Sequence, residues 1–250
     1  FSLVIDGGHL MDSFDKVGVA NLMTDIMMEG TATKTPEELE EAIELLGASI
    51  RMSTGNESIT ISGNTLARNF DKTMDLVEEI LLEPRWDEEE LKRIKLSTIN
   101  SIKRNEANPN VVARNVGNKL LYGEQHMFAY PISGTEESVE SITMDDLKAF
   151  YETNFSPSIS KFHIVGNITK DQALKVLTDL ETKWTAQYVE IPSYPLPENR
   201  DKASLYFVDI PNAKQSVINI GYLSLARTDP DYFPATVMNY KLGGSFSGNV

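Results

Sequence analysis

The 250-residue sequence contains no cysteine. Disulfides, thiolate metal sites and cysteine nucleophiles are therefore excluded. Histidine is scarce: His9, His126 and His163 are the only three, and no two are spaced to meet on one helical face. A zinc site built from this chain alone would need carboxylates to supplement isolated histidines. No run of about 18 apolar residues occurs, so no segment reads as a membrane-spanning helix. Positive charge is in deficit, with 23 Lys+Arg against 37 Asp+Glu and a net charge of −14. Such a surface repels phosphate backbones and argues against nucleic acid as a partner. The chain opens on Phe1 instead of Met, inside an apolar strand-like run and without a signal-peptide pattern. It reads as a piece of something longer.

What is present is ordinary for a globular protein: 41% hydrophobic and 24% charged residues, within the usual range. The length allows one large domain or two small ones. Residues 1–6 read as a strand that Gly7-Gly8 ends. Residues 15–26 read as a helix with Val19, Leu22, Met23 and Ile26 on one face. Thr35-Pro36-Glu37-Glu38 is a helix start: Thr35 caps, Pro36 suits the first turn, and Glu38 completes a capping box. Two strands follow, joined by Gly55-Asn56, with Ile59 and Ile61 alternating against polar neighbours. Helical spacing continues over residues 69–82, 86–107 and 111–121, then again after Thr143 and Thr169. Residues 161–165 read as a strand. Pro192, Pro195 and Pro197 mark a linker. Beyond it, residues 205–209 and 216–222 read as strands and residues 234–242 as a helix. This layout repeats the start of the chain.

Several clusters carry no chemistry on inspection. His163 alternates within a strand and reads as a structural histidine, whereas His9 and His126 lie near turns and read as surface residues. The acidic run 37–44 reads as the solvated face of a capped helix. Met23, Met27 and Met28 read as a core stripe. Gly243-Gly244-Ser245-Phe246-Ser247-Gly248 follows a helix instead of opening one after a strand, so it is a poor phosphate loop.

The segment Gly18-Val19-Ala20-Asn21-Leu22-Met23-Thr24-Asp25-Ile26-Met27-Met28-Glu29-Gly30-Thr31 resembles the metal-binding helix of the pitrilysin/insulinase family of zinc peptidases, which includes the mitochondrial processing peptidases. The block from Ile132-Ser133-Gly134-Thr135 through Thr143, Asp146-Leu147 and Phe150-Tyr151 is similar to another family block. Asn167 sits where the family's strand ends in Gly-Asp or Gly-Asn. Pro211-Asn212-Ala213-Lys214-Gln215-Ser216, Asp229-Pro230-Asp231-Tyr232 and Leu242-Gly243-Gly244-Ser245-Phe246-Ser247 resemble the opening of the family's second half-domain. Active members carry His-x-x-Glu-His on this helix, with two zinc ligands at i and i+4 and a general base between them. Here those positions are Asn21, Thr24 and Asp25. The family's third ligand is a Glu further along, and counting 76 residues from Asp25 reaches Ser101. An amide is a weak zinc ligand and a hydroxyl a poor base at neutral pH. Arg51-Met52 replaces a small Asn-Ala pair on the strand where substrate backbone pairs in the family. Arg51, a candidate peptide-strand position, would obstruct or redirect that pairing. It reads equally well as a surface arginine on a strand.

The resemblance implies an α+β fold: an antiparallel-rich sheet with helices packed on one face. It implies a half-domain with a degenerate metal site at residues 1–190, a linker at 191–203, and the truncated start of a second half-domain at 204–250. It implies no catalytic residue and no cofactor in this chain, zinc being confined to an active partner half in the same polypeptide or in a separate subunit. The implied role is to enclose a chamber and assist in binding a peptide substrate, with a homo-oligomer open as a further arrangement. An active zinc metalloendopeptidase and a pure assembly module of the same fold are the alternatives. The family suggests a bacterial protein of the envelope or periplasm, with the cytoplasm as the other compartment.

Overall fold

A computed structural model describes residues 1–195, 197, 202–211 and 213–242. The elements run β1 (Ser2–Asp6), α1 (Val19–Met27), α2 (Pro36–Leu45), β2 (Ser49–Thr54), β3 (Ser58–Asn64), α3 (Phe70–Leu82), α4 (Glu88–Glu106), α5 (Pro109–Tyr122), α6 (Glu136–Ser141), α7 (Met144–Asn154), β4 (Ser160–His163), α8 (Lys170–Lys183) and α9 (Tyr232–Leu242). The four strands form one antiparallel sheet in the order β2-β3-β1-β4.

Side-chain alternation makes this sheet two-faced. Leu3 pairs with Ile61, Ile5 with Ile59, and Met52 with Ile61. These apolar side chains share one face with Ile50, and all but the half-buried Met52 are almost fully buried. The other face carries Ser2, Asp6, Ser58, Thr60, Ser62, Arg51, Ser53, Lys161 and His163, none of them buried. Helices therefore cover only the apolar face. Against it pack Leu22, Met23 and Ile26 of α1 and Met74, Val77 and Ile80 of α3. α1 lies between β2, α4 and α7, which explains why seven of its nine residues are buried.

The helix starts follow local chemistry. Thr35 with Glu38, Thr143 with Asp146, and Thr169 with Gln172 all form the reciprocal capping box, each cap contributing about 1 kcal/mol. A fourth box, Thr135 with Ser138, opens α6. α6 has six residues, too short for periodicity to mark it. Lys95 donates to the carbonyls of Glu140 and Ile142 at 2.8 and 2.7 Å, satisfying acceptors at the end of α6.

All three histidine readings need correction. His9 is fully buried and His126 nearly so. The chain around Tyr130 covers His9, whose Nε2 lies 3.2 Å from the Tyr130 carbonyl. His126 packs among Tyr122, Phe128 and Tyr194, and burial lowers its pKa. His163, by contrast, is exposed.

The chain after α8 is held at two points. Ser156 and Ser158 hydroxyls donate to the Gln187 carbonyl at 2.9 and 2.6 Å. Further on, the Tyr194 hydroxyl donates to the Leu10 carbonyl at 2.9 Å, and its ring lies 5.0 Å from that of His126. Residues 205–209 and 216–222, read as strands, form no ladder. A strand needs a partner for its backbone groups, and these segments lie open, with Leu205 97% and Ile220 91% exposed. The glycine-rich 243–250 segment, Asn212 and the linker residues 196 and 198–201 lie outside the described residues. Limited proteolysis at low protein concentration is expected to cut first between Gln187 and Ala203, leaving a stable core of residues 1–187. Earlier cleavage within α3 or α4 would place the domain boundary elsewhere.

Candidate functional site

The helix that carries the motif positions is fixed from its N-terminus. Its N-cap is Gly18, which has a φ of 97° and no side chain to offer, and no acid lies in the first turn. The capping acceptor comes instead from Asp12. Its carboxylate accepts from the backbone N–H of Gly18 at 2.7 Å and of Ala20 at 3.1 Å, and lies 2.9 Å from His9 Nδ1. Asp12 thus satisfies donors that every helix start leaves open.

Asn21, Thr24 and Asp25 follow on this helix. The half-buried Asn21 donates from Nδ2 to Asp25 Oδ2 at 3.1 Å. Thr24 is buried and turned toward the sheet. Its hydroxyl donates to the Asn21 carbonyl at 2.9 Å and lies 3.1 Å from the Thr54 hydroxyl on β2. Thr54 in turn donates to the Ala20 carbonyl at 3.0 Å. Burial and, second, the nearby Glu29 carboxylate push the Asp25 carboxyl up to about 6, against the opposing bond from Asn21. Glu29 pairs with Arg93 of α4 at 2.6 Å, and Arg93 also holds Glu90.

A cleft of about 420 Å³ opens between α1, β2 and α4. Asp25 and Glu29 line one wall, Ile50, Arg51 and Met52 the second, and Arg93, Ser97 and Thr98 the third. The structure therefore brings Asp25 and Arg51 to one cleft, with Asn21 bonded to Asp25. Ser101 lies one turn beyond Ser97 on α4, is half-buried, and accepts from Arg104 Nη2 at 3.3 Å. It does not line the cleft. The helix that counting along the chain reached does line the cleft, but through Ser97 and Thr98. The Glu29–Arg93 pair was also missed, although Glu29 stands only four residues after Asp25, just past the end of α1.

Zinc does not fit this donor set. The positions offer an amide already engaged as a donor, a hydroxyl facing the sheet, one carboxyl that holds its proton to about pH 6, and a distant serine. Zinc sites need imidazole, thiolate or ionised carboxylate in a tetrahedral set. Among the described residues no group of three or more His, Asp or Glu is placed to hold a metal ion.

β2 is an edge strand. Gly63 exchanges both backbone hydrogen bonds with Phe1, and Gly7 donates to Glu57. The odd-numbered residues of β3 therefore bond toward β1 and the even-numbered ones toward β2. Arg51 and Ser53 face Ser62 and Thr60 across that ladder, which leaves the N–H and C=O groups of Ile50 and Met52 pointing outward along the cleft. No strand among the described residues pairs there.

A family model described as Insulinase (Peptidase family M16) matches residues 1–135, and one described as Peptidase M16 inactive domain matches residues 141–249. The chain belongs to peptidase family M16. It is 25% identical over 236 residues to the uncharacterized zinc protease YmxG of Bacillus subtilis, covering 93% of this chain and 56% of that protein. It is 23% identical over 252 residues to the non-peptidase homolog YmxG of Helicobacter pylori, covering 99% and 57%. The chain thus spans about half the length of these relatives. The fold matches a crystal structure of a peptidase M16 inactive domain from Pseudomonas fluorescens with a TM-score of 0.82 at 22% identity, over 98% of this chain and 58% of that one. Pitrilysin matches with a TM-score of 0.67 at 18% identity, over 78% and 21%.

Proposed function

We propose that this chain is a non-catalytic part of an M16 protein, which holds an extended peptide along the outer edge of β2 and helps enclose a chamber with a zinc-bearing partner half. The partner lies in the same polypeptide or in a separate subunit. In this reading residues 1–190 form the main unit and residues 204–250 begin a second, similar one. The observation that carries it is the β2 edge, unpaired among the described residues, running beside Asn21, Thr24 and Asp25, which offer no zinc ligand set. The match of residues 141–249 to the family's inactive domain supports it, as does the non-peptidase name of the Helicobacter relative.

Peptide binding tests the proposal. A short extended peptide is expected to bind the protein equally well with and without a metal chelator, and to emerge uncleaved. Met52→Pro removes one outward N–H without breaking a bond to β3, a substitution that edge strands tolerate. It is expected to weaken binding by up to about tenfold, the equivalent of a lost hydrogen bond. Chelator-sensitive cleavage would point to a working metallopeptidase. Absence of any peptide binding would favour an assembly module.

A further inference from the structure

We propose that Arg51 selects the sequence of the bound peptide by pairing with a carboxylate side chain directly opposite it. This inference rests on the β2 reading above and names the chemistry that the edge prefers.

Arg51 exchanges its own backbone hydrogen bonds with Ser62, so its backbone does not face an incoming strand. A peptide added antiparallel would bond to Ile50 and Met52 and meet Arg51 at a non-hydrogen-bonded pair. Such pairs bring the two α-carbons to about 4.5 Å and hold the side chains closest. Opposite charges there are favourable and like charges are not. Arg51 is exposed and lies on the polar face of the sheet, with Ser49 and Ser53 as its same-strand neighbours and Ser62 across the ladder. The charged side chains of that face farther off, Asp6 and Lys161, pair with each other at 2.7 Å. Among the described residues no carboxylate lies within ion-pair distance of Arg51. The other cleft arginine, Arg93, is already held by Glu29 and Glu90. The uncommitted Arg51 cation therefore sits where a cross-strand partner would project, on the face of β2 away from Asp25 and Glu29.

The rest of the surroundings restricts the selection to a single acid. The peptide residues flanking that position would turn to the opposite face, toward Asp25 and Glu29, which disfavour further negative charge. The chain as a whole carries −14, which repels a generally acidic peptide. The preferred ligand is thus a neutral or basic extended segment with one Asp or Glu opposite Arg51.

The test uses three otherwise identical neutral peptides that differ only in a central Glu, Gln or Lys, titrated against the whole chain at low salt. The Glu peptide is expected to bind up to about fivefold more tightly than the Gln peptide, the range of a cross-strand charge pair, with the Lys peptide weakest. Added salt should shrink the difference. Arg51→Gln should abolish the Glu preference, and Arg51→Glu should reverse it in favour of Lys. Both substitutions fall on an exposed side chain, and an unchanged melting midpoint confirms that each variant is folded. Equal affinity for all three peptides, or a Glu preference that survives Arg51→Glu, overturns the role of Arg51 and leaves peptide binding at β2 standing. Failure of every peptide to bind overturns the β2 reading and this inference with it.

Discussion

Asp12→Ala is expected to destabilise the protein by about 2–4 kcal/mol, since each buried donor left without an acceptor costs about 1–3 kcal/mol. Asp12 and His9 side chains are both fully buried, 2.9 Å apart. The same carboxylate caps α1 through Gly18 and Ala20. Removing it leaves the His9 ring and two backbone donors without their acceptor in a site closed to water. Nothing else nearby replaces the cap, because Gly18 has no side chain and the first turn of α1 has no acid. Urea denaturation monitored by circular dichroism measures the loss. A cost below about 1 kcal/mol, the level of an ordinary exposed cap, would mean that the helix is anchored by its packing alone. Asp12→Asn is expected to recover part of the loss, since an amide oxygen still accepts from one of the donors.

Asp25→Asn is expected to act in the opposite direction and to stabilise the protein at neutral pH. The carboxyl is held at about 6 in the folded chain against 3.8 for an unperturbed group. Below 3.8 both states are protonated and the site contributes no pH dependence. As pH rises from 3.8 to 6, the unfolded chain releases its proton while the folded chain keeps it, so stability falls. Above 6 the full penalty applies, at most about 3 kcal/mol for a shift of this size. Asparagine has no charge to bury and can still accept from Asn21. The difference in melting stability between variant and parent should therefore be small at pH 4 and grow up to pH 7. A difference that stays flat across this range would show that Asp25 ionises freely in the folded state. Because the motif position is costly in its ionised form, its carboxylate is not there for stability.

Features decided within a few residues were legible in the sequence. The capping box at Thr35 depends on contacts three residues apart and formed as read, and helices begin directly after Thr143 and Thr169 as their spacing indicated. The alternation of Ile59 and Ile61 likewise identified the core face of β3. Features decided across the fold were not legible. His9 is buried by a segment 121 residues away, and no local pattern announces that. Tyr194 sits among prolines that signal a loop, yet its ring and hydroxyl dock on His126 and Leu10. The segments 205–209 and 216–222 have strand-like side chains, but hydrogen-bonding partners decide whether such residues become a sheet. In the site, the identities of Asn21, Thr24 and Asp25 were plain from the chain. The direction in which each side chain turns was not, because Thr24 faces β2 while Asp25 faces the cleft. Helix phase, set by the packing of α1 and α4, likewise brought Ser97 forward in place of Ser101.

Arg51 also bears on how copies of the protein meet. An open strand edge invites the same edge of a second molecule, and two β2 strands could pair antiparallel about a twofold axis. Centred on residue 51, that arrangement would set two guanidinium groups against each other at the closest pairing distance of a sheet. Like charges so placed repel, and each chain's charge of −14 adds a longer-range repulsion. On the proposed reading, the cation that would welcome a carboxylate-bearing strand would also turn away its own copy, so the edge would stay open to a foreign peptide even at high protein concentration.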